Sequence, residues 1–261
     1  MHYWKKIKQK LIKLASVKHA FIFYRTVIKQ RHNLIKRTLL FLAFTKDFKK
    51  YININKNKSF YLPKTKIEPC VYDKTDDTPV DPVYFYQDSW CAGKVFESQP
   101  GHHFDIGSKA EMVGIISQFT PTTMIDIRPI NLKLKNLFFM KGDILSLPFK
   151  NDSLKSISSI CVIEHIGLGR YGDKLDSMGS EKAIAEIKRV LANDGDLYIS
   201  LPVDHKSIVY FNAHRAFTRN HILKLFQHLE LVEEKYIYKN EIVDSYDKSR
   251  GFGTGLFHFK K

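Results

Sequence analysis

The chain has 261 residues, 44% of them hydrophobic, which suits one sizeable globular domain with an accessory segment. Its three cysteines, Cys70, Cys91 and Cys161, form no C-x-x-C pair, which argues against a zinc site and fits reduced thiols in a cytosol. The net charge of +15 is concentrated at one end: residues 1–50 hold 14 Lys/Arg against one acid, residues 51–100 hold 6 against 7, and residues 101–261 hold 22 against 19, so a nucleic-acid-binding surface over the main domain is not supported.

Residues 1–50 read as a basic, amphipathic, helical extension. Trp4, Ile7, Leu11, Leu14, Val17, Phe21, Tyr24 and Ile28 recur at steps of three or four, with Lys5, Lys6, Lys8, Lys13, Arg25 and Lys29 largely off that stripe. "LIKRTLLFLAF" (Leu34–Phe44) predicts a second short helix. No apolar run reaches the ~18–20 residues needed to span a bilayer, and the charged start makes a poor signal peptide. Two readings of the extension stand side by side. Its helices pack on the domain and show a solvated basic face, or they lie on the anionic inner face of a membrane with Trp4 and the Phe residues in the interface. The expected address is cytoplasmic, peripheral to the inner membrane face in the second reading.

Residues 51–83 are polar, rich in Lys and Asn, and broken by "TDDTPVDP" (Thr75–Pro82), which predicts a linker or extended arm. From residue 84 to 261 the pattern is that of a single domain. "YFYQDSW" (Tyr84–Trp90) opens a helix that ends at Pro100-Gly101. After it, short β-branched runs alternate with helical ones. The predicted strands are "HHFDIGS", "TTMIDIRP", Leu137–Met140, "SISSICVIEH" and "DLYISLPV". The predicted helices are "KAEMVGIISQF", "SEKAIAEIKRVL" with Ser180 as N-cap, and "TRNHILKLFQHL" with Thr218 as N-cap. "LVEEKYIY" and "GLFHFK" follow as two strands with no convincing helix between them. The alternation implies an α/β, doubly wound, largely parallel sheet closed by a terminal antiparallel hairpin.

Ligands of such sheets sit at the carboxyl ends of the strands, so the strand ends are the candidate site. The first ends at Asp105-Ile106-Gly107-Ser108, where Gly107 lets the backbone approach a ligand. The second ends at Asp126, 21 residues on, an acid placed to accept from ribose hydroxyls. The third ends at Gly142-Asp143-Ile144, where an acid can accept from an adenine amino group. The fourth ends at Glu164-His165. His165 is the candidate base for an acceptor's proton, with Glu164 orienting it, binding substrate or capping a helix. A long loop before the next helix carries Arg170, Tyr171 and Asp173, and "FNAHR" (Phe211–Arg215) offers His214 and Arg215 to the same cleft, Arg suiting a carboxylate or phosphate. The blander readings are turn or capping acids at Asp105 and Asp143, a structural histidine at 165, and a surface pair at 214–215.

The series "DIGS", "IDIRP", "GDILSLPF", "VIEHI", "EIKRVLANDGDLYISLP" and "HRAFTRNHILKLF" resembles the class I S-adenosylmethionine-dependent methyltransferases over residues 84–261. More narrowly, "FDIGS", "IDIRP", "VIEHIGLGRYGD" and "FNAHR" look like an uncharacterised bacterial branch of that superfamily. The resemblance implies a Rossmann-like, seven-stranded methyltransferase sheet. It implies S-adenosylmethionine as cofactor, with Asp105, Gly107 and Ser108 under its methionine part, Asp126 at the ribose and Asp143-Ile144 at the adenine, and no metal. It implies transfer to an O or N atom of a small or glycan-type acceptor, by analogy in surface-polysaccharide synthesis. Where the family has D-x-G-x-G-x-G, this chain has Asp105-Ile-Gly107-Ser108-Lys109-Ala110-Glu111. A Cβ at Lys109 restricts positive φ there, which favours a second possibility, a non-catalytic or repurposed fold that binds a partner or an anionic sugar.

"GLGRYG" (Gly167–Gly172) spells the dinucleotide fingerprint G-x-G-x-x-G. Glu164, His165 and Ile166 separate it from its strand, and no helix opens inside it, so the match reads as coincidental and the loop as acceptor-side.

Overall fold

The structure, a computed structural model, describes residues 17–57, 59–62 and 67–261, with side chains from residue 34 onward. Two compact units divide the chain, Met1–Pro79 and Val80–Lys261. In the first, α1 (Val17–Ile54) is one continuous helix of 38 residues. No Gly or Pro interrupts it, so "LIKRTLLFLAF" continues the preceding turns instead of starting a separate helix. Trp4, Ile7, Leu11 and Leu14 of the expected stripe lie outside the described residues. No helix among the described residues is long and apolar enough to cross a membrane.

The second unit is built on an eight-stranded sheet of order β3-β2-β1-β4-β5-β10-β8-β9. Its strands are β1 (His103–Ile106), β2 (Thr122–Asp126), β3 (Leu137–Lys141), β4 (Leu154–Ile160), β5 (Leu191–Val203), β8 (Glu230–Tyr238), β9 (Glu241–Val243) and β10 (Gly253–Lys260). β1 to β5 pair in parallel; β10 enters antiparallel between β5 and β8. The expected seven strands are all present, with the terminal antiparallel hairpin. β9 is an added edge strand. β6 (Ile208–Tyr210) and β7 (His214–Ala216) form a separate hairpin after β5.

The central strands β1, β4 and β5 are covered on both faces, which is why they are buried almost throughout, their serines and Asp105 included. On one face α2 (Pro82–Ser98) and α3 (Ala110–Ile116) bury Trp90, Cys91, Val95, Met112, Val113 and Ile116 against Met124, Ile160 and Tyr198. On the other, α4 (Gly179–Val190) and α5 (Arg219–Leu225) pack Ile184, Ile187, Val190, Ile222 and Phe226 onto Ile157, Leu197, Ile199 and Phe257. Asp81 caps α2 by accepting from the N–H groups of Val83 and Tyr84, with Pro82 at the first helical position. Thr218 caps α5 through the N–H of His221, as its sequence predicts. Ser180 does not cap α4: the helix starts at Gly179, and the Ser180 hydroxyl donates to the Ile163 carbonyl instead.

Candidate functional site

A cavity of about 580 Å³ opens at the carboxyl ends of β1 to β4. Its floor is Ile106, Gly107, Ile125 and Val162. One wall is Asp126, Arg128, Asp143 and Ile144; the other is Cys161, His165 and the segment from Tyr171 to Lys174.

The floor is set by the turn after β1. Gly107 has φ +73, and a Cβ there would stand 3.0 Å from Val162 Cγ1. The position therefore needs glycine on both conformational and steric grounds. Asp105 and Ser108 do not line the cavity. Asp105 is fully buried and accepts from the Ser108 N–H at 3.0 Å and from the Ser158 hydroxyl. Ser108 Oγ in turn accepts from the Ile160 N–H at 2.8 Å. Below them, His103 meets Ser158 through Nε2 and Ser156 through Nδ1. Ser158 already donates to Asp105, so His103 donates from Nε2. Burial pushes the Asp105 carboxyl up to about 6 and His103 down to about 3. This buried polar chain fixes the turn. Lys109, where the superfamily pattern has glycine, sits at φ −68 and asks for no positive φ. Its ammonium lies 5.0 Å from the centre of the Tyr84 ring and does not line the cavity.

Asp126 and Asp143 both reach the cavity from strand ends. Among the described residues Asp126 accepts through Oδ1 alone, from the N–H of Arg128 at 2.7 Å and its Nε at 3.4 Å. Asp143 Oδ1 accepts from the Leu145 N–H at 2.9 Å. Each therefore keeps its second oxygen for a hydrogen-bond donor in the cavity. The Gly142-Asp143-Ile144 turn brings Ile144 along, buried at its edge.

On the opposite wall the chain leaves β4 at Cys161, whose φ is +54, and winds into a 3₁₀ turn, Ile163–His165. Glu164 and His165 are thus not on a strand pointing apart, as alternation along a strand requires. Both are buried, and His165 Nε2 lies 3.6 Å from Glu164 Oε1. The His165 Nδ1 contact to the Ala213 carbonyl, 2.6 Å, requires the proton on Nδ1 and leaves Nε2 as an unprotonated base. Arg170 Nη1 donates to the same carbonyl at 3.0 Å, so its 3.3 Å approach to Nδ1 is two donors flanking one oxygen. Burial lowers the imidazole to about 4 and raises the Glu164 carboxyl to about 8. Glu164 Oε2 is buried and meets no hydrogen-bond partner among the described residues. Cys161 is not a reactive thiol: burial drives its proton affinity up, and Sγ donates to Gln87 Oε1 at 3.1 Å.

The G-x-G-x-x-G loop is closed on itself. The N–H groups of Gly167, Gly169 and Tyr171 all donate to the Asp173 carboxylate, at 2.7, 3.2 and 3.2 Å. An anion nest of this kind holds a phosphate in a dinucleotide fold; here a side chain of the loop fills it. A Cβ at Gly167 would collide with the Asp176 carbonyl oxygen, so this position too is committed to loop closure. Tyr171 stands at the cavity edge against His165, with the Arg128 and Arg170 guanidinium carbons 4.8 and 5.1 Å from its ring centre.

Neither His214 nor Arg215 lines the cavity. His214 packs on Tyr210 and Phe252. Arg215 is a strut: Nη1 donates to the Ile166 carbonyl at 2.6 Å and Ser180 Oγ at 3.1 Å, and Nη2 to the Asp176 and Ser177 carbonyls at 3.0 and 3.3 Å. All four of its Nη hydrogens are thus committed within the protein. Three cavity residues that sequence reasoning did not offer as ligand contacts are Cys161, Arg128 and Lys174. Only Arg128 carried a signal, its position two residues after the Asp126 strand end.

Residues 145–248 match the family described as Caenorhabditis protein of unknown function, DUF268. That stretch contains "VIEHIGLGRYGD" and "FNAHR" but not "FDIGS" or "IDIRP", and its description names Caenorhabditis, not a bacterium. No curated protein matches the chain in sequence. Among solved structures, the chain is similar to the (4+2)-cyclase SpnF at 12% identity and TM-score 0.51, covering 67% of this chain and 80% of that one. It is similar to the N-methyltransferase NodS of Bradyrhizobium japonicum with bound S-adenosyl-L-homocysteine, at 17% identity and TM-score 0.50, covering 72% and 93%. A third is the 1,6-didemethyltoxoflavin-N1-methyltransferase of Burkholderia thailandensis with S-adenosylhomocysteine, at 13% identity and TM-score 0.50, covering 72% and 93%. At these identities the likeness establishes the fold, the Rossmann-like sheet of class I methyltransferases. A cyclase among the three shows that the fold leaves the reaction to the site.

Proposed function

We propose that this protein is an S-adenosylmethionine-dependent methyltransferase acting on a hydroxyl or amine of a small or glycan-type acceptor. The observation that carries the reading is the cavity itself, which sets two strand-end carboxylates with free oxygens opposite an unprotonated imidazole nitrogen. The residues present fit the cofactor. Gly107 keeps the floor clear of a Cβ, Asp126 is placed for ribose hydroxyls, and Asp143 with Ile144 for the adenine edge and face. Asp105 and Ser108 support this from beneath by fixing the turn. The cofactor, when bound, supplies an activated methyl group. The protein's own part is to hold the acceptor in line and to accept its proton at His165 Nε2, the position its Nδ1 bond to Ala213 leaves open. Glu164 is the positioning residue behind it. The proton accepted at His165 Nε2 stands 3.6 Å from Glu164 Oε1.

The non-catalytic alternative drew on the missing glycines of the first loop, at Lys109 and Glu111; the φ of −68 at Lys109 weighs against a conformational need for glycine at the first of them. Calorimetric titration with S-adenosylhomocysteine tests the reading. Saturable binding supports it, and no heat of binding up to about 1 mM ligand, a free energy near −4 kcal/mol, sinks it.

The same proposal extends to location. Leu34, Ile35, Leu39 and Leu42 of α1 are exposed beside Lys36 and Arg37, a pattern suited to an anionic membrane surface. Association with surface-polysaccharide synthesis would follow from such a site of action. Sedimentation with phosphatidylglycerol vesicles, reduced in a Lys36→Gln/Arg37→Gln/Lys49→Gln/Lys50→Gln variant, is the expected result. Equal binding by the variant contradicts it.

A further inference from the structure

We propose that the mouth of the cavity recognises an anionic group on the acceptor, a carboxylate or a phosphate, through Arg128, Arg170 and Lys174 arranged around Tyr171. The inference rests on reading the cavity as a methyl-transfer site and adds the class of acceptor it takes.

The first observation is a group of cations around Tyr171 that no carboxylate fully neutralises. Residues 80–261 hold 23 Lys/Arg against 22 Asp/Glu, and among the described residues nine of those cations meet a carboxylate. Lys94 meets Glu233 at 2.9 Å, Arg189 meets Glu186 at 2.7 Å and Arg219 meets Glu234 at 2.8 Å. Among the described residues, Arg170 and Lys174 have no carboxylate within ion-pair distance, and Arg128 has only the 3.4 Å contact of its Nε with Asp126. The acid between Arg170 and Lys174, Asp173, has turned its carboxylate inward onto three backbone N–H groups.

The second observation is that the cations are positioned. Tyr171 holds the Arg128 and Arg170 guanidinium groups by cation–π contact, and the Ala213 carbonyl anchors Arg170 Nη1. Arg128 keeps both Nη groups, and Arg170 its Nε and Nη2, without a protein acceptor among the described residues, which is the fork that suits a carboxylate or phosphate. Arg128 and Lys174 line the cavity that His165 lines, while Arg170 stands outside the lining and adjoins it through the Tyr171 ring, so an anion held there belongs to a molecule whose other end reaches the imidazole. The expectation that His214 and Arg215 bind the anion is replaced by this set.

The test uses the full chain, with inorganic phosphate and acetate as probes at constant ionic strength. The readout is the amide resonances of residues 170–174. Saturable shifts are expected with at least one anion, and the stronger binder tells phosphate from carboxylate recognition. In an Arg170→Gln/Lys174→Gln variant, anion affinity falls about tenfold while S-adenosylhomocysteine affinity stays unchanged. No saturable shift with either anion overturns the proposal, as does a variant that binds them normally. A fall in S-adenosylhomocysteine affinity by the same factor also overturns it, because the cations then serve the cofactor's carboxylate. If S-adenosylhomocysteine fails to bind the wild-type chain while the anion effects persist, the methyl-transfer reading falls and the anion site stands.

Discussion

The two walls of the cavity are built by different means. On the β1–β3 side Asp126 and Asp143 sit at the ends of their own strands, and their contacts are two residues away: Asp126 with Arg128, Asp143 with Leu145. On the loop side Asp173 folds back onto its own loop, and the other contacts that decide a residue's job come from far along the chain. Arg215 grips carbonyls at Ile166, Asp176 and Ser177, and Ala213 fixes the tautomer of His165. A charged side chain in the first wall is free to meet a ligand because strand geometry aims it there. In the second, Asp173 and Arg215 carry ligand-like chemistry and spend it on holding the loop.

The largest effect that probes this difference is expected at Arg215. Arg215→Met leaves the Ile166, Asp176 and Ser177 carbonyls without their donor, and the loss of stability is about 3–5 kcal/mol in urea unfolding. A ligand-binding arginine would show almost no loss, so a change under about 1 kcal/mol returns Arg215 to the substrate list.

Next is the pH dependence set by Glu164 and His165. The carboxyl is raised from 4.5 to about 8, so the folded chain binds more protons than the unfolded one, and stability falls as pH rises through that window. His165 is lowered from 6.5 to about 4, so stability rises with pH between those values and opposes the Glu164 trend there. Above pH 6.5 only the Glu164 trend of this pair remains, worth about 2 kcal/mol by pH 8. Glu164→Gln is expected to flatten that decline in thermal melts recorded across the range. An unchanged slope places the shifted proton elsewhere.

The smallest effect belongs to the other wall. Lys109→Gly restores the superfamily's glycine at a position that is already relaxed. It is expected to cost about 0.5–1 kcal/mol of stability and to leave S-adenosylhomocysteine affinity within about twofold. A large gain in affinity means that the Lys109 side chain obstructs the site.

This contrast also explains what the sequence disclosed. The alternation of runs, the cap at Thr218 and the acids at strand ends are local patterns, and the sheet follows from them. The coincidental character of "GLGRYG" was legible too, because its distance from the strand end is a matter of counting. The short-range partners of Asp173 were not, since nothing in "GRYGD" says that the carboxylate turns back onto its own loop. Ser180 looks like a cap by residue type. Its hydroxyl is claimed by Ile163, 17 residues earlier, a contact that exists only once the 3₁₀ turn after β4 has formed.

The central claim is that the first wall holds the cofactor and the second does not. Titrating S-adenosylhomocysteine into Asp126→Ala and Asp173→Asn alongside the wild-type chain tests it most directly. The account predicts a loss of about tenfold or more for Asp126→Ala, from one free carboxylate oxygen removed, and near wild-type affinity for Asp173→Asn. The reverse order, with Asp173→Asn crippled and Asp126→Ala unaffected, contradicts it and hands the nucleotide back to the glycine loop.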